Sequence, residues 1–180
     1  EHSLRSRAES DRFEQHELLR QCGEEYLEAY EDADSIRDSH AAFFTGRLQE
    51  WAPHLFSSRQ MEAVHAIDAD FENLAVAWRW AITRDQTDLL LDLPWALAQY
   101  AWRGVNRIYR VQALLERTLR ARKGLLARSD LLLRAQSLLA IADFGFGVGI
   151  SAQRAVTMAE EGRAIMHKFD DPYGIAYAKK

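Results

Sequence analysis

Gly145-Phe146-Gly147-Val148-Gly149 has the glycine spacing of a loop that cradles phosphate with successive backbone N–H groups. It follows an apolar-periodic helix rather than a strand, and it lacks the Lys-Ser/Thr pair of a P-loop, so it reads as a flexible helix–helix turn. His16-Glu17 opens like a zinc-protease helix, but Arg20 stands where the second His is required. The six histidines are scattered, and His65 with Asp68 is the nearest mixed pair, which falls short of a metal-ligand set. Cys22, the single cysteine, excludes an internal disulfide framework and a thiolate zinc cluster, and its place on an apolar stripe makes it a small core residue. The acidic pairs Glu24-Glu25 and Glu160-Glu161 belong on solvated helix faces. No catalytic set, metal site or cofactor site is therefore expected in this segment.

Charge is the stronger chemical signal. Residues 1–40 carry a net −7 and residues 101–128 a net +7, although the whole chain stands at −4. A basic stretch of that kind attracts phosphates or an acidic protein surface, or it forms a solvated face paired with acids of the same chain. Arg107, Arg110 and Arg117 lie near one helical face and form a candidate anion-binding face. With Arg103 they make nucleic-acid binding through the basic segment 103–123 a reading of low rank. The acidic first segment and the lack of a DNA-reading motif weigh against it.

These residues need a helical frame to hold them. One domain's worth of chain, 180 residues with 48% hydrophobic and 28% charged residues, can bury a real core. Nine Gly and three Pro are too few for a loop-rich or sheet-rich fold. The apolar period is three and four almost throughout, which predicts an all-α fold. Nothing at the start resembles a signal peptide, and Asp92 and Pro94 interrupt the most apolar stretch, Leu89–Trp102. A membrane partner is not expected, and a cytoplasmic setting is.

The first helix is expected over about 12–33, with Leu18, Leu19, Cys22, Tyr26, Leu27 and Tyr30 as its stripe, although residues 12–16 also suit an edge strand. A second starts near Ser35, carries Ala42, Phe43, Leu48 and Trp51, and ends at Pro53. A short helix with Met61, Val64 and Ile67 precedes the longest apolar face: Phe71, Leu74, Ala75, Trp78, Ala81 and Ile82. Further helices follow at about 87–103 (kinked or restarted by Pro94), 107–123, 130–146 and 152–168, with Ser151 capping the last. Pro172 opens another, and the sequence stops early in it at Lys179-Lys180, as part of a longer chain would.

Two helical hairpins align at an offset of 44 residues. Trp95, Ala98, Gln99 and Trp102 match Leu139, Ala142, Asp143 and Phe146; Val111, Leu115 and Thr118 match Ala155, Ala159 and Gly162. This resembles the tetratricopeptide pattern and implies antiparallel hairpins in a right-handed α-α superhelix. The small residues Ala155, Ala159 and Gly162 would let a neighbouring helix approach closely. In that register the first helices of the hairpins face the concave side, which makes Tyr100, Arg103, Ala140 and Phe144 a candidate groove.

His16-Glu17-Leu18-Leu19-Arg20-Gln21-Cys22 resembles the "HELLRQ(Y/F)A" helix of bacterial STAND-class (NB-ARC/AAA-type ATPase) regulators. His40-Ala41-Ala42-Phe43-Phe44 is similar to the helix that follows it, and Ile67-Asp68 through Phe71-Glu72-Asn73-Leu74-Ala75-Val76-Ala77-Trp78-Arg79-Trp80-Ala81 is similar to a third family segment. Asp70 and Ala75 depart from the family's usual Glu and Arg. The resemblance implies that residues 1–33 are a linker helix after a winged-helix part, 34–86 a helical bundle, and 87–180 two tetratricopeptide-like hairpins and the start of a third. It implies a non-enzymatic sensor or scaffold in a cytoplasmic signal-transduction ATPase or transcriptional regulator, with ATP bound upstream. A protein partner or small-molecule inducer and an intramolecular contact with the nucleotide-binding module are the implied partners. The alternative is a free-standing helical-repeat adaptor for protein–protein interaction. An array ending on an uncovered apolar face would also favour a homodimer.

Overall fold

The computed structural model describes residues 5–7, 13–15, 22–23, 25–27 and 29–170 of the chain, and two compact units, Glu1–Ser39 and His40–Lys180, divide it. In the first unit, β1 (Arg5–Arg7) pairs antiparallel with β2 (Phe13–Gln15), with Arg5 opposite Gln15. The helix expected from about residue 12 is thus replaced at 13–15 by the strand alternative, because a second extended segment is there to complete its backbone hydrogen bonds. Leu18 and Leu19 lie outside the described residues. Cys22, Tyr26 and Tyr30 are exposed, so the expected stripe is not a core face there. Helical periodicity marks a face able to be buried and does not supply its partner.

α1 (Ala33–Trp51) begins two residues before Ser35 and gives way to a 3-10 turn, Ala52–Phe56, where Pro53 has no N–H to continue the ladder. Its buried positions are Ala33, Ala41, Thr45 and Leu48, while Ala42 and Phe43 point outward. α2 (Gln60–Thr83) joins the two expected helices into one of 24 residues, since no Gly or Pro interrupts it. It buries Val64, Ile67, Phe71, Leu74 and Trp78 but leaves Met61 exposed. Trp80, on another face, stays half-buried beneath Arg84.

Pro94 restarts the next helix. Thr87–Leu90 is a 3-10 turn, and α3 (Leu93–Ala101) begins after Asp92, which takes a left-handed φ of 66°. Asp is one of the few residue types that tolerate this region. Gln136 holds Asp92 at both ends: its Oε1 accepts from the Asp92 N–H at 2.9 Å, and its Nε2 donates to Asp92 Oδ1 at 2.8 Å.

α4 (Val105–Ala121), α5 (Arg128–Phe144) and α6 (Ala152–Lys168) complete the described elements. Ser151 caps α6 by accepting the Arg154 N–H at 3.3 Å. The Gly-rich stretch is a 3-10 turn, Gly145–Val148, closed by Gly149 at a φ of 80° that favours glycine. α5 packs on α3, α4 and α6, so the hairpins α3–α4 and α5–α6 stack. Phe71, Trp78, Leu97, Leu115, Ile141 and Phe144 belong to the main core. Trp95 joins Leu139 and Met166 in a smaller cluster that links α3, α5 and α6. Among the described residues the fold is all-α apart from the β1–β2 ribbon, and none of their helices is long and apolar enough to cross a membrane.

Candidate functional site

Polar chemistry concentrates where α2 meets the α3–α4 turn. Asp68, on α2, receives the Arg107 guanidinium at two points, Nε to Oδ1 at 3.0 Å and a terminal nitrogen to Oδ2 at 2.5 Å. Tyr100, at the end of α3, donates its hydroxyl to the same Oδ1 and stacks its ring against Phe71, with centroids 5.8 Å apart. The remaining Arg107 terminal nitrogen donates to the Arg103 carbonyl at 2.6 Å, which closes the turn.

The charge states of this trio follow from its contacts. Hydrogen bonding from Arg107 holds the Asp68 carboxyl below its ordinary value, while burial, and then the Asp68 hydrogen bond, push the Tyr100 phenol up. Arg107 is itself raised, mainly by its hydrogen bond to Asp68. The carboxylate stays ionised and the phenol stays protonated across neutral pH, so the trio clamps α2 to α4 instead of exchanging protons.

Beside it lies an open cleft of about 410 Å³, lined by Asp68, Gly104, Val105, Asn106, Arg107 and Arg110. Arg110 sits over Phe71, its guanidinium carbon 4.0 Å from the ring centre, and pairs with Glu72 at 2.9 Å. That pair is open to solvent, with Glu72 86% exposed, and is worth little to stability.

The expected groove is not formed. Tyr100, Ala140 and Phe144 are fully buried, and only Arg103 is half-exposed, reaching across to the Leu55 carbonyl at 3.4 Å. The side of α3 and α5 assigned to a concave surface is packed into the core, so Tyr100 and Phe144 act as packing anchors. The expected anion-binding face is also divided. Arg107 is committed to Asp68, Arg110 leans on Glu72, and Arg117 alone of the three stands exposed with no ion pair among the described residues. Arg122, at the end of α4, is 3% exposed and binds Asp85 at 2.7 Å, Asp130 at 3.2 Å and the Ile82 carbonyl. Much of the basic segment is thus neutralised by carboxylates on and just after α2, and by Asp130.

What the sequence reading missed is the outward side of the α3–α4 hairpin. Val105 and Tyr109, four residues apart and so on one face of α4, are 59% and 56% exposed. Trp102, just before them, is 48% exposed and donates its indole N–H to Asp143 at 3.0 Å. The signal available was Val105 and Tyr109 at helical spacing, offset from the buried Ile108, Val111 and Leu115. Among the described residues no group of His, Cys, Asp and Glu is arranged to hold a metal ion. Comparison of the chain with protein-family models, with curated proteins and with solved structures finds no match in any of the three.

Proposed function

We propose that this chain is a non-enzymatic, tetratricopeptide-like sensor and scaffold segment of a multidomain signal-transduction ATPase or transcriptional regulator. It engages a protein partner or inducer and restrains a nucleotide switch elsewhere in the parent protein. The observation that carries the reading is the outward face of α4, where Val105 and Tyr109 stand in solvent on a helix fixed from behind by Arg107 and Arg122. Exposed aromatic residues on a rigid frame suit recognition, because little side-chain entropy is lost when they are covered. The stacking of the α3–α4 and α5–α6 hairpins supports a right-handed superhelix, and the order of the family-like segments supports the switch-ATPase setting. An inducer acts on such a switch only through its differential affinity for the two states.

The test is site-specific photo-crosslinking from position 109 of the full-length parent protein, with products mapped by mass spectrometry. Crosslinks into a protein partner or into the nucleotide-binding module that change when the regulator is activated are the expected result. Crosslinks to another polypeptide that do not respond to activation would favour the free-standing adaptor. The absence of both would refute this face as a docking surface.

A further inference from the structure

The outward face of α4 carries charge as well as apolar surface. Val105, Tyr109 and Ala113 run along it at intervals of four, all exposed. Arg110, Arg117 and Arg120 border them on the same helix, and Arg154 of α6 reaches the edge through Glu116, at 3.3 Å. Three of these four arginines meet two glutamates, and Arg117 meets none among the described residues. Glu72 serves Arg110, and Glu116 is shared between Arg120, at 3.7 Å, and Arg154. The face is therefore locally positive on a chain whose net charge is −4. Solvent-exposed pairs of this kind exchange partners at little cost.

We propose that the outward face of α4 docks an acidic amphipathic helix of a partner protein. Its carboxylates would take Arg110 and Arg117, and its apolar stripe would cover Val105, Tyr109 and Ala113. The inference rests on the reading of this face as a docking surface. The register follows from geometry. Arg110 and Arg117 are seven residues apart, about 10.5 Å along the axis, which matches two acids seven apart on a helix lying alongside. Nucleic acid fits less well, because Glu72 and Glu116 stand within the strip and would face a continuous row of phosphates.

Fluorescence anisotropy on the 180-residue chain tests this, using a labelled 18-residue synthetic helix with two Glu seven apart beside a Leu stripe. Its Gln-for-Glu counterpart, a Lys-for-Glu counterpart, and single- and double-stranded 18-mer DNA are the comparison probes. The Glu helix is expected to bind at least tenfold tighter than the Gln helix. The double variant Arg110→Glu, Arg117→Glu should reverse the preference in favour of the Lys helix, an outcome that a misfolded variant cannot produce. Tyr109→Ala should weaken the Glu helix about tenfold. No binding of the Glu helix, loss of binding without the reversed preference, or binding of DNA alone would each overturn the proposal. In any of these cases a position-109 crosslink to a partner would still stand, and only the acidic character of that partner would be lost.

Discussion

Gly162 and Gly46 make a matched pair for testing how closely α5 and α6 approach. Replacing a helix-interior glycine by alanine ordinarily stabilises by about 0.5–1 kcal/mol, partly by restricting the unfolded chain. At Gly46, inside α1, an added Cβ meets nothing within 4 Å, so the full gain is expected. At Gly162 the same carbon would stand 2.8 Å from Leu139 Cγ and 3.1 Å from the Ala135 carbonyl oxygen. Neither atom is a free side-chain end: one is a branch point and the other is backbone of α5. The helices must therefore separate, and overpacking of this kind costs about 1–3 kcal/mol. Gly162→Ala is expected to lose up to about 2 kcal/mol after the propensity gain is deducted. Because that gain is common to both variants, their difference isolates the clash. For a chain of this size each kcal/mol moves Tm by about 2–4 °C, so the two melting temperatures should lie about 2–12 °C apart, with Gly46→Ala the higher. Thermal denaturation followed by circular dichroism reads this directly. Equal stabilisation by both substitutions would refute the close approach and, with it, the small-residue stripe of α6 as a packing device.

Thr118→Val removes the hydroxyl that accepts the Trp78 indole N–H, a buried contact of 2.8 Å, and should cost about 1–3 kcal/mol by urea denaturation; no loss would mean the indole is satisfied otherwise. The Asp68 carboxyl should titrate below its usual 3.8, so its stabilising contribution is present at neutral pH and lost as pH falls through the lowered folded-state value; in Arg107→Gln the carboxyl NMR titration should move upward, and an unchanged midpoint would remove Arg107 as the cause. Burial lowers His40 from its usual 6.5 against an opposing hydrogen bond with Asn73, so the folded state takes up its proton less readily. Stability should then decline as pH falls below 6.5, and His40→Gln should flatten the change in urea midpoint between about pH 7.5 and 5.

How much of this was legible beforehand differs from element to element. The bounds of α6 and its Ser151 cap follow from local chemistry, as does the restart at Pro94, because a missing N–H or a capping oxygen acts within a few residues. The separation of Trp78 from Trp80 follows from helical geometry alone. The groove failed for a reason that is also visible in the residues. Leu93–Ala101 contains no charge at all, the mark of a helix enclosed on most sides, and the repeat register gave it an open face instead. Partner choice was not legible. Arg107 and Arg117 occupy similar sequence contexts, yet one finds Asp68, 39 residues away, and the other finds solvent. That difference depends on how α2 lies against α4, which no local pattern specifies. Cys22 likewise sits in an apolar period and yet is exposed.

Arg122 gathers three stretches of chain at once: the end of α2 through Ile82 and Asp85, the start of α5 through Asp130, and the end of α4 from which it projects. Thr87 completes the cluster by donating to Asp130 at 3.0 Å. A guanidinium cannot leave water favourably until its acceptors are assembled, so this clasp closes after the helices it joins have docked. Interactions made after the folding transition state govern how fast a protein comes apart rather than how fast it forms. Arg122→Met should therefore steepen the loss in an unfolding-rate measurement while leaving the refolding rate nearly unchanged, and a slowed refolding limb would place the clasp in the nucleus. On this reasoning the clasp is expected to set the lifetime of the helical array, and with it that of the exposed face of α4.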